Sequence, residues 1–273
     1  MKPCICIGCD TENLKTIYNV GLRHVEISFG GAVLLEKQAY RDLTERVIDS
    51  GLEIVAANGF FPSADKVCTL FGEDYRREVI TDYIKRAFER TSDLHLASIA
   101  FGSGFMRNIP EGFAREKAAE RFCDIVVKDI APLLEAHDAY LSFEELQSKE
   151  TNFLNSCRET AELVRLIGHP RVGLLCDFYH MSMAGETPED VKDFADTIRH
   201  VHIASPSNDR SFPFLHDGDD EKYVSFFRAL ENAPFFDGYV SVEGLLADKY
   251  KPFEKAIVRS MDMYKAYLPG MTV

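Results

Sequence analysis

The sequence contains no tryptophan, and it has no apolar run of the roughly 18 residues that a membrane-spanning helix requires. Its first residues, Met1 to Cys6, lack the apolar core of a signal peptide. Seven cysteines are present, but their spacing matches no disulfide framework, which is typical of proteins in a reducing compartment. We therefore expect a cytoplasmic protein that does not associate with a membrane.

Basic residues are in short supply, because 31 Lys and Arg stand against 44 Asp and Glu and give a net charge of −13. Nucleic-acid binding depends on an excess of Lys and Arg that attracts phosphates, so we expect no nucleic-acid partner. The hydrophobic share of 46% and the charged share of 27% are ordinary for a globular protein.

The chain also lacks a low-complexity linker or a Pro/Gly-rich hinge, so residues 1–273 are expected to form one domain. Short β-rich runs alternate with amphipathic stretches such as 40–49, 75–90, 117–136 and 223–230. Eight strands are predicted, and they begin near Cys4, His24, Ile54, Ala97, Tyr140, Val172, His200 and Gly238. Regular alternation of this kind predicts a parallel sheet, and eight units within about 250 residues predict a closed (β/α)8 barrel.

Helix-boundary residues agree with this pattern. Ser156 followed by Glu159 predicts a capping box, and Thr187 followed by Pro188 predicts a helix that begins there. Gly51 is expected to end the preceding helix.

The alternation within each strand predicts which side chains face the barrel interior. In the second strand Val25 and Ile27 share one face, and Glu26 and Ser28 share the other with His24. Bulky aliphatic side chains are expected to pack against the outer helices, which leaves the small and polar set inside. On this basis we expect His24 and Glu26 to form a hydrogen-bonded pair in the interior.

The same parity places one acidic or imidazole side chain inward at the carboxyl end of each of strands five to eight. These residues are Glu144, Asp177, His202 and Glu243. Active sites of such barrels lie at this end. Three neighbouring carboxylates raise one another's pKa, and a divalent cation relieves that repulsion. Oxygen ligands with one imidazole suit Mn²⁺, Mg²⁺, Co²⁺ or Zn²⁺, so we predict one divalent metal ion.

Several motifs resemble those of a known family. They are residues 143–153, 176–181, 200–204 and 242–244, together with 101–112, which includes Arg107. In this order they resemble the sugar isomerase/epimerase family of xylose-isomerase-like barrels, which includes ketose 3-epimerases, hydroxypyruvate isomerase and family 2 AP endonucleases. The chain departs from the epimerases where their Glu-Pro-Leu-Asn-Arg pattern is replaced by residues 144–148, and in the segment 205–213.

The resemblance implies that Glu144, Asp177, His202 and Glu243 hold the metal. It also implies that Glu150, His180 and Arg210 contact the substrate. Asn58, at the rim after the third strand, is expected to line the same pocket.

These assignments predict an isomerase or epimerase that acts on a sugar, a sugar phosphate or a keto acid. Glu144 and Glu243 would move a proton at a carbon next to a carbonyl, through a metal-stabilised enediolate. Two bases on opposite faces would give epimerisation, whereas one base would give aldose–ketose isomerisation.

Three alternatives stay open from the sequence. A dehydratase or lyase would use the same enolate. A phosphodiesterase resembling the AP endonucleases is disfavoured, because that chemistry uses a multi-metal cluster and a positive groove. A barrel that only binds its ligand is a non-enzymatic possibility, and a homo-oligomer is compatible with each of these.

Overall fold

A computed structural model describes residues 1–62, 69–207, 209–213, 220–231, 233, 237–244 and 253–267. Within these ranges eight parallel strands close into a barrel in sequence order, as predicted. The strands are β1 (Lys2–Gly8), β2 (His24–Ser28), β3 (Glu53–Asn58), β4 (Ser98–Phe101), β5 (Tyr140–Glu144), β6 (Val172–Asp177), β7 (Ile198–Ile203) and β8 (Tyr239–Val242).

Helices surround the barrel and connect the strands. The α-helices of the described ranges are α1 (Leu14–Asn19), α2 (Phe29–Leu34), α3 (Lys37–Asp49), α4 (Arg77–Arg90), α5 (Arg115–Ile125), α6 (Ala131–Ala136), α7 (Cys157–Ile167), α8 (Phe178–Met183), α9 (Asp220–Glu231) and α10 (Phe253–Tyr267). A single π-helical turn, Val126–Ile130, joins α5 to α6. The helix predicted over 117–136 is therefore present but interrupted.

The predicted helix boundaries hold with two corrections. Gly51, with φ +82°, follows the end of α3, and Ser156 Oγ accepts a hydrogen bond from the Glu159 N–H at the start of α7. The Glu159 carboxylate, however, accepts from the Asn155 N–H instead of from Ser156, so this capping box is incomplete. Thr187 begins a short 3₁₀ helix, Pro188–Asp193, and not an α-helix.

The predicted strand faces are confirmed. Val25 and Ile27 are fully buried in the apolar layer between the strands and the helices. On the interior side, Ser98 Oγ and Ser142 Oγ share a hydrogen bond of 2.8 Å between β4 and β5. The interior is thus polar where the outer layer is aliphatic, and the carboxyl ends of the strands carry the charged side chains.

Among the described residues, no helix is both long and apolar enough to span a bilayer. The expectation of one domain over residues 1–273 stays a prediction, because several ranges lie outside the described residues.

Candidate active site

The four predicted metal ligands converge at the carboxyl end of the barrel. Glu144 and Asp177 are the last residues of β5 and β6, His202 is the penultimate residue of β7, and Glu243 directly follows β8. Each offers a ligand atom, and these atoms all lie within 4.8 Å of one another. The strand ends bring them together because Asp177 and His202 are register partners and the Glu243 N–H donates to Ile203 O.

The two carboxylate oxygens of Asp177 have different environments. Its Oδ1 accepts hydrogen bonds from the N–H groups of Tyr179 (2.7 Å) and His180 (3.0 Å) and so caps α8. Its Oδ2 has no hydrogen-bond partner among the described residues and lies 4.0 Å from His202 Nδ1. Helix capping therefore fixes the orientation of this carboxylate and leaves one oxygen for a ligand.

Other buried polar atoms at the centre are also unpartnered within the described ranges. Glu144 Oε1 and His202 Nδ1 are both without a hydrogen bond, and they lie 3.7 Å apart. His202 Nδ1 is 3.2 Å from Glu243 Oε2. Buried polar atoms without partners are costly and uncommon in folded proteins. Two Glu, one Asp and one His, three of which have a buried atom without a hydrogen bond to any described residue, fit a divalent cation.

Glu26 connects this cluster to the barrel interior. The predicted pairing of Glu26 with His24 is wrong. His24 Nδ1 lies 3.2 Å from Pro3 O, whereas the Glu26 carboxylate contacts His200 Nε2 (2.8 Å) and His202 Nε2 (3.0 Å). The strand alternation placed Glu26 inside, but it gave no information on which residue lies across the interior.

The Glu26 contacts set the charge of this network. Burial acts to raise the pKa of Glu26, but the charges of His202 and His200 outweigh it and hold that pKa well below its usual value. Burial acts to lower the pKa of His202, but Glu26 and Glu243 outweigh it and hold that pKa well above the usual range. In the absence of a bound cation, the His202 ring and the Glu26 carboxylate therefore form a buried ion pair.

Arg210 places its guanidinium among the three carboxylates. Its Nη2 contacts Glu243 Oε2 and lies 3.6 Å from both Glu144 Oε1 and Asp177 Oδ2. Burial acts to raise the pKa of Glu243, but the charges of Arg210 and His202 outweigh it and hold that pKa at about 2. Because the guanidinium occupies the space between the carboxylates, cation binding there requires Arg210 to withdraw.

His180 and Glu150, the predicted substrate contacts, lie beside the cluster. The Gln147 N–H donates to His180 Nδ1 (3.2 Å), so in the neutral ring the proton lies on Nε2. His180 Nε2 has no hydrogen-bond partner among the described residues and is 3.9 Å from both Glu144 Oε1 and Glu150 Oε1. This N–H is available to a substrate oxygen.

Arg107 is a fully buried cation that the sequence connected with the site only through a resemblance. Its Nη1 donates to Glu144 O (2.9 Å), while its Nε and Nη2 have no partner in the described part of the chain. Burial lowers its pKa to about 10, and Glu144 and Glu145 oppose that shift. Gly102 lies so close to the same glutamate that a Cβ at this position would collide with Glu144 Oε2.

A cavity of 460 Å³ opens over these residues. Asn58, Glu144, Glu150, Arg210 and Glu243 line it, and the Asn58 side-chain amide donates to Glu243 Oε1 (2.9 Å). The apolar part of its lining comes from Leu34, Phe61, Pro62, Phe105 and Leu146. A surface groove of 510 Å³ between α3 and α4 contains none of the predicted site residues.

The backbone superimposes on several solved structures. D-Psicose 3-epimerase from Clostridium cellulolyticum H10, solved with D-tagatose, gives a TM-score of 0.80 at 16% identity over 98% of this chain and 99% of that chain. The 3-keto-D-glucoside 4-epimerase from E. coli gives 0.73 at 18% identity, over 95% and 99%. A family 2 AP endonuclease from Brucella melitensis gives 0.74 at 19% identity, over 99% of both chains. At these identities the likeness establishes the fold.

No curated protein matches the chain in a sequence comparison. The family described as "Xylose isomerase-like TIM barrel" matches residues 14–267, which include all eight predicted site residues. The chain therefore belongs to the xylose isomerase-like TIM barrel family.

Proposed function

We propose that this protein is a metal-dependent isomerase or epimerase of a sugar or a related keto substrate, which moves a proton between the substrate and the carboxylates of Glu144 and Glu243. One observation carries the proposal. Three carboxylates and one imidazole meet within 4.8 Å beneath a cavity of 460 Å³, and several of their buried atoms have no partner among the described residues.

Glu144, Asp177, His202 and Glu243 would hold the cation. It would supply positive charge against the negative charge that develops on the substrate oxygens as the C–H proton leaves. Mn²⁺, Mg²⁺, Co²⁺ and Zn²⁺ are all compatible with this donor set.

Arg210 controls how readily Glu243 accepts a proton. A carboxylate with a pKa of about 2 is a weak base, and Arg210 contributes the largest charge that lowers it. Withdrawal of the guanidinium toward a substrate oxygen would remove that charge and free the Glu243 carboxylate for the cation. Substrate binding by Arg210 would thus be coupled to assembly of the metal site.

Asn58 and Glu150 line the cavity and His180 lies beside Glu150, so these polar groups are suited to hold a polyhydroxylated substrate. The Nε2–H of His180 would donate to a substrate oxygen, and the Glu150 carboxylate would accept from a hydroxyl. Asn58 is already held by Glu243 and would contact the substrate from the β3 side of the cavity. The proposed substrate is therefore a small sugar-like molecule, and the similarity to sugar epimerases supports this class.

The test is solvent-deuterium exchange into candidate keto sugars, free and phosphorylated, with and without Mn²⁺. D-Tagatose and D-fructose are the first candidates, since solved relatives carry them. We expect exchange that depends on Mn²⁺ and is abolished in Glu144→Gln and in Glu243→Gln. Glu53→Gln, an exposed glutamate on β3, should leave exchange unchanged.

The products of the same screen separate the possible reactions. Label that stays on an inverted carbon identifies epimerisation, and label on the neighbouring carbon identifies isomerisation. A product lighter by one water would identify a dehydratase. Exchange retained in both glutamine variants would refute the two-carboxylate mechanism.

A further inference from the structure

A second group of metal-binding side chains lies close to Asp177 but outside the cavity. We call Glu145, Cys157 and Cys176 the thiol cluster. Glu145 directly follows β5, Cys157 is the first residue of α7, and Cys176 precedes Asp177 in β6. All three are fully buried, and their ligand atoms lie within 4.8 Å of one another. None of them lines the cavity.

The distances within the thiol cluster are close to those of a tetrahedral metal site. Cys157 Sγ and Cys176 Sγ are 3.6 Å apart. Two thiolates bound to one tetrahedral Zn²⁺ at about 2.3 Å lie about 3.8 Å apart, and a carboxylate oxygen lies about 3.6 Å from each sulfur. The two sulfurs therefore already have nearly the required separation, and a Glu145 carboxylate oxygen lies within 4.8 Å of each of them.

One oxygen of the buried Glu145 carboxylate is without a hydrogen bond in the part of the chain that the structure describes. Its Oε1 accepts a hydrogen bond from the Asp177 N–H (2.9 Å), whereas its Oε2 has no hydrogen-bond partner among the described residues. Glu186 lies nearby, but its two oxygens accept from the N–H groups of Cys157 and Arg158. A fully buried carboxylate oxygen without a partner is costly, and a cation would remove that cost.

We propose that Glu145, Cys157 and Cys176 bind a soft divalent cation of the Zn²⁺ type, separate from the cation of the candidate active site. Sulfur ligands select soft cations, whereas the oxygen-rich set around His202 suits harder ones. The two thiol protons leave to solvent on binding, and the cation is held by two thiolates and one carboxylate. Before the cation binds, the Cys176 S–H donates to Met181 Sδ, 3.9 Å away.

A cation in the thiol cluster would join three elements near the active site. It would link the end of β5, the end of β6 and the start of α7, and its ligands Glu145 and Cys176 are the sequence neighbours of Glu144 and Asp177. The inference does not depend on the proposed reaction.

Cd²⁺ is the probe for this site, because thiolate-to-Cd²⁺ charge transfer absorbs in the ultraviolet. The reduced full-length protein is first saturated with Mn²⁺ and then titrated with Cd²⁺. We expect one Cd²⁺ per chain with a thiolate band, and competition by Zn²⁺. Cys157→Ser and Cys176→Ser should each lose most of the band, whereas Cys123→Ser and Cys9→Ser, outside the thiol cluster, should retain it.

Two further measurements keep the outcome decisive. Far-UV circular dichroism and Mn²⁺ binding establish that the serine variants are folded, and X-ray absorption of the Cd²⁺-loaded wild type should count two sulfur neighbours. Glu243→Gln should keep the band, which separates this inference from the proposed function. The inference is overturned if folded wild type shows no thiolate band, if both serine variants retain it, or if Cd²⁺ only displaces Mn²⁺.

Discussion

The carboxylate of Glu26 reaches across the barrel interior and contacts both histidines of β7. Its oxygens lie 2.8 Å from His200 Nε2 and 3.0 Å from His202 Nε2. Ser241 Oγ donates to the same carboxylate (2.6 Å). The bond to His202 Nε2 leaves Nδ1 of that ring directed at Glu144, Asp177 and Glu243. Carboxylates that hold a metal-binding His in this way orient the ring and raise its basicity.

Glu26→Gln is therefore expected to weaken Mn²⁺ binding by about 10- to 100-fold, the usual effect of losing such a partner. Isothermal titration calorimetry on the variant and on wild type measures it. Glu53→Gln, an exposed glutamate on the neighbouring strand, provides the matched control and should bind Mn²⁺ like wild type. Unchanged affinity in Glu26→Gln would mean that His202 does not bind the cation through Nδ1.

Gly102→Ala tests the position of the Glu144 carboxylate. The added methyl group would overlap Glu144 Oε2, so the carboxylate must shift from its observed position. We expect deuterium exchange to fall by about 100-fold, since small misplacements of a reacting group have effects of this size.

The control for Gly102→Ala is Gly185→Ala, at a position where a Cβ meets nothing within 4 Å. Its φ of +80° makes that substitution mildly strained, so it reports the general effect of losing a glycine. If Gly102→Ala exchanges deuterium as fast as Gly185→Ala, Glu144 does not need the observed position.

Arg210→Met removes the cation that lies among the three carboxylates. Without a bound metal, we expect a lower melting temperature, because the carboxylates then repel one another uncompensated. With Mn²⁺ we expect binding about tenfold tighter, because no guanidinium competes for the same oxygens. Arg86→Met, which removes an exposed arginine paired with Asp82, should change neither quantity. Weaker Mn²⁺ binding in Arg210→Met would contradict this competition.

The carboxylate of Asp190 is expected to make a pH-dependent contribution to the free energy of unfolding. Hydrogen bonds from the backbone N–H and the side chain of Thr187 lower the pKa of Asp190. Its contribution is therefore present above the unfolded pKa of about 3.9 and is lost as the pH falls through the lower folded value.

Asp190→Ala should cost about 1 kcal/mol of unfolding free energy at pH 7, and less at pH 3. Urea denaturation of both proteins at the two pH values measures the difference. Glu189→Ala, an exposed acid in the same turn, serves as the control. A cost for Asp190→Ala that is equal at pH 7 and pH 3 would refute the assignment.

The sequence predicted those features that follow a regular period. Strand alternation gave the inward faces, and the parallel order of β5 to β8 then placed Glu144, Asp177, His202 and Glu243 at one rim. These four residues lie in strands or directly after them, where side-chain direction is fixed by the backbone.

Contacts across the interior and within loops could not be predicted in this way. Glu26 is on β2 and its partner His202 is on β7, and these strands are not neighbours in the sheet. Arg210 has a left-handed backbone with φ +47°, which no sequence period indicates for a non-glycine residue. The contact of Arg107 with Glu144 O likewise joins the loop after β4 to the end of β5, and their approach depends on the finished barrel.

Crystals of the protein soaked in Mn²⁺ and measured by anomalous diffraction test most directly whether the four rim residues bind one cation. We expect the strongest anomalous peak to lie about 2.2 Å from an oxygen or nitrogen of each of Glu144, Asp177, His202 and Glu243. The Arg210 guanidinium should then be displaced. A structure in which Arg210 still lies among the carboxylates, with the strongest peak elsewhere or with no peak at saturating Mn²⁺, would contradict it.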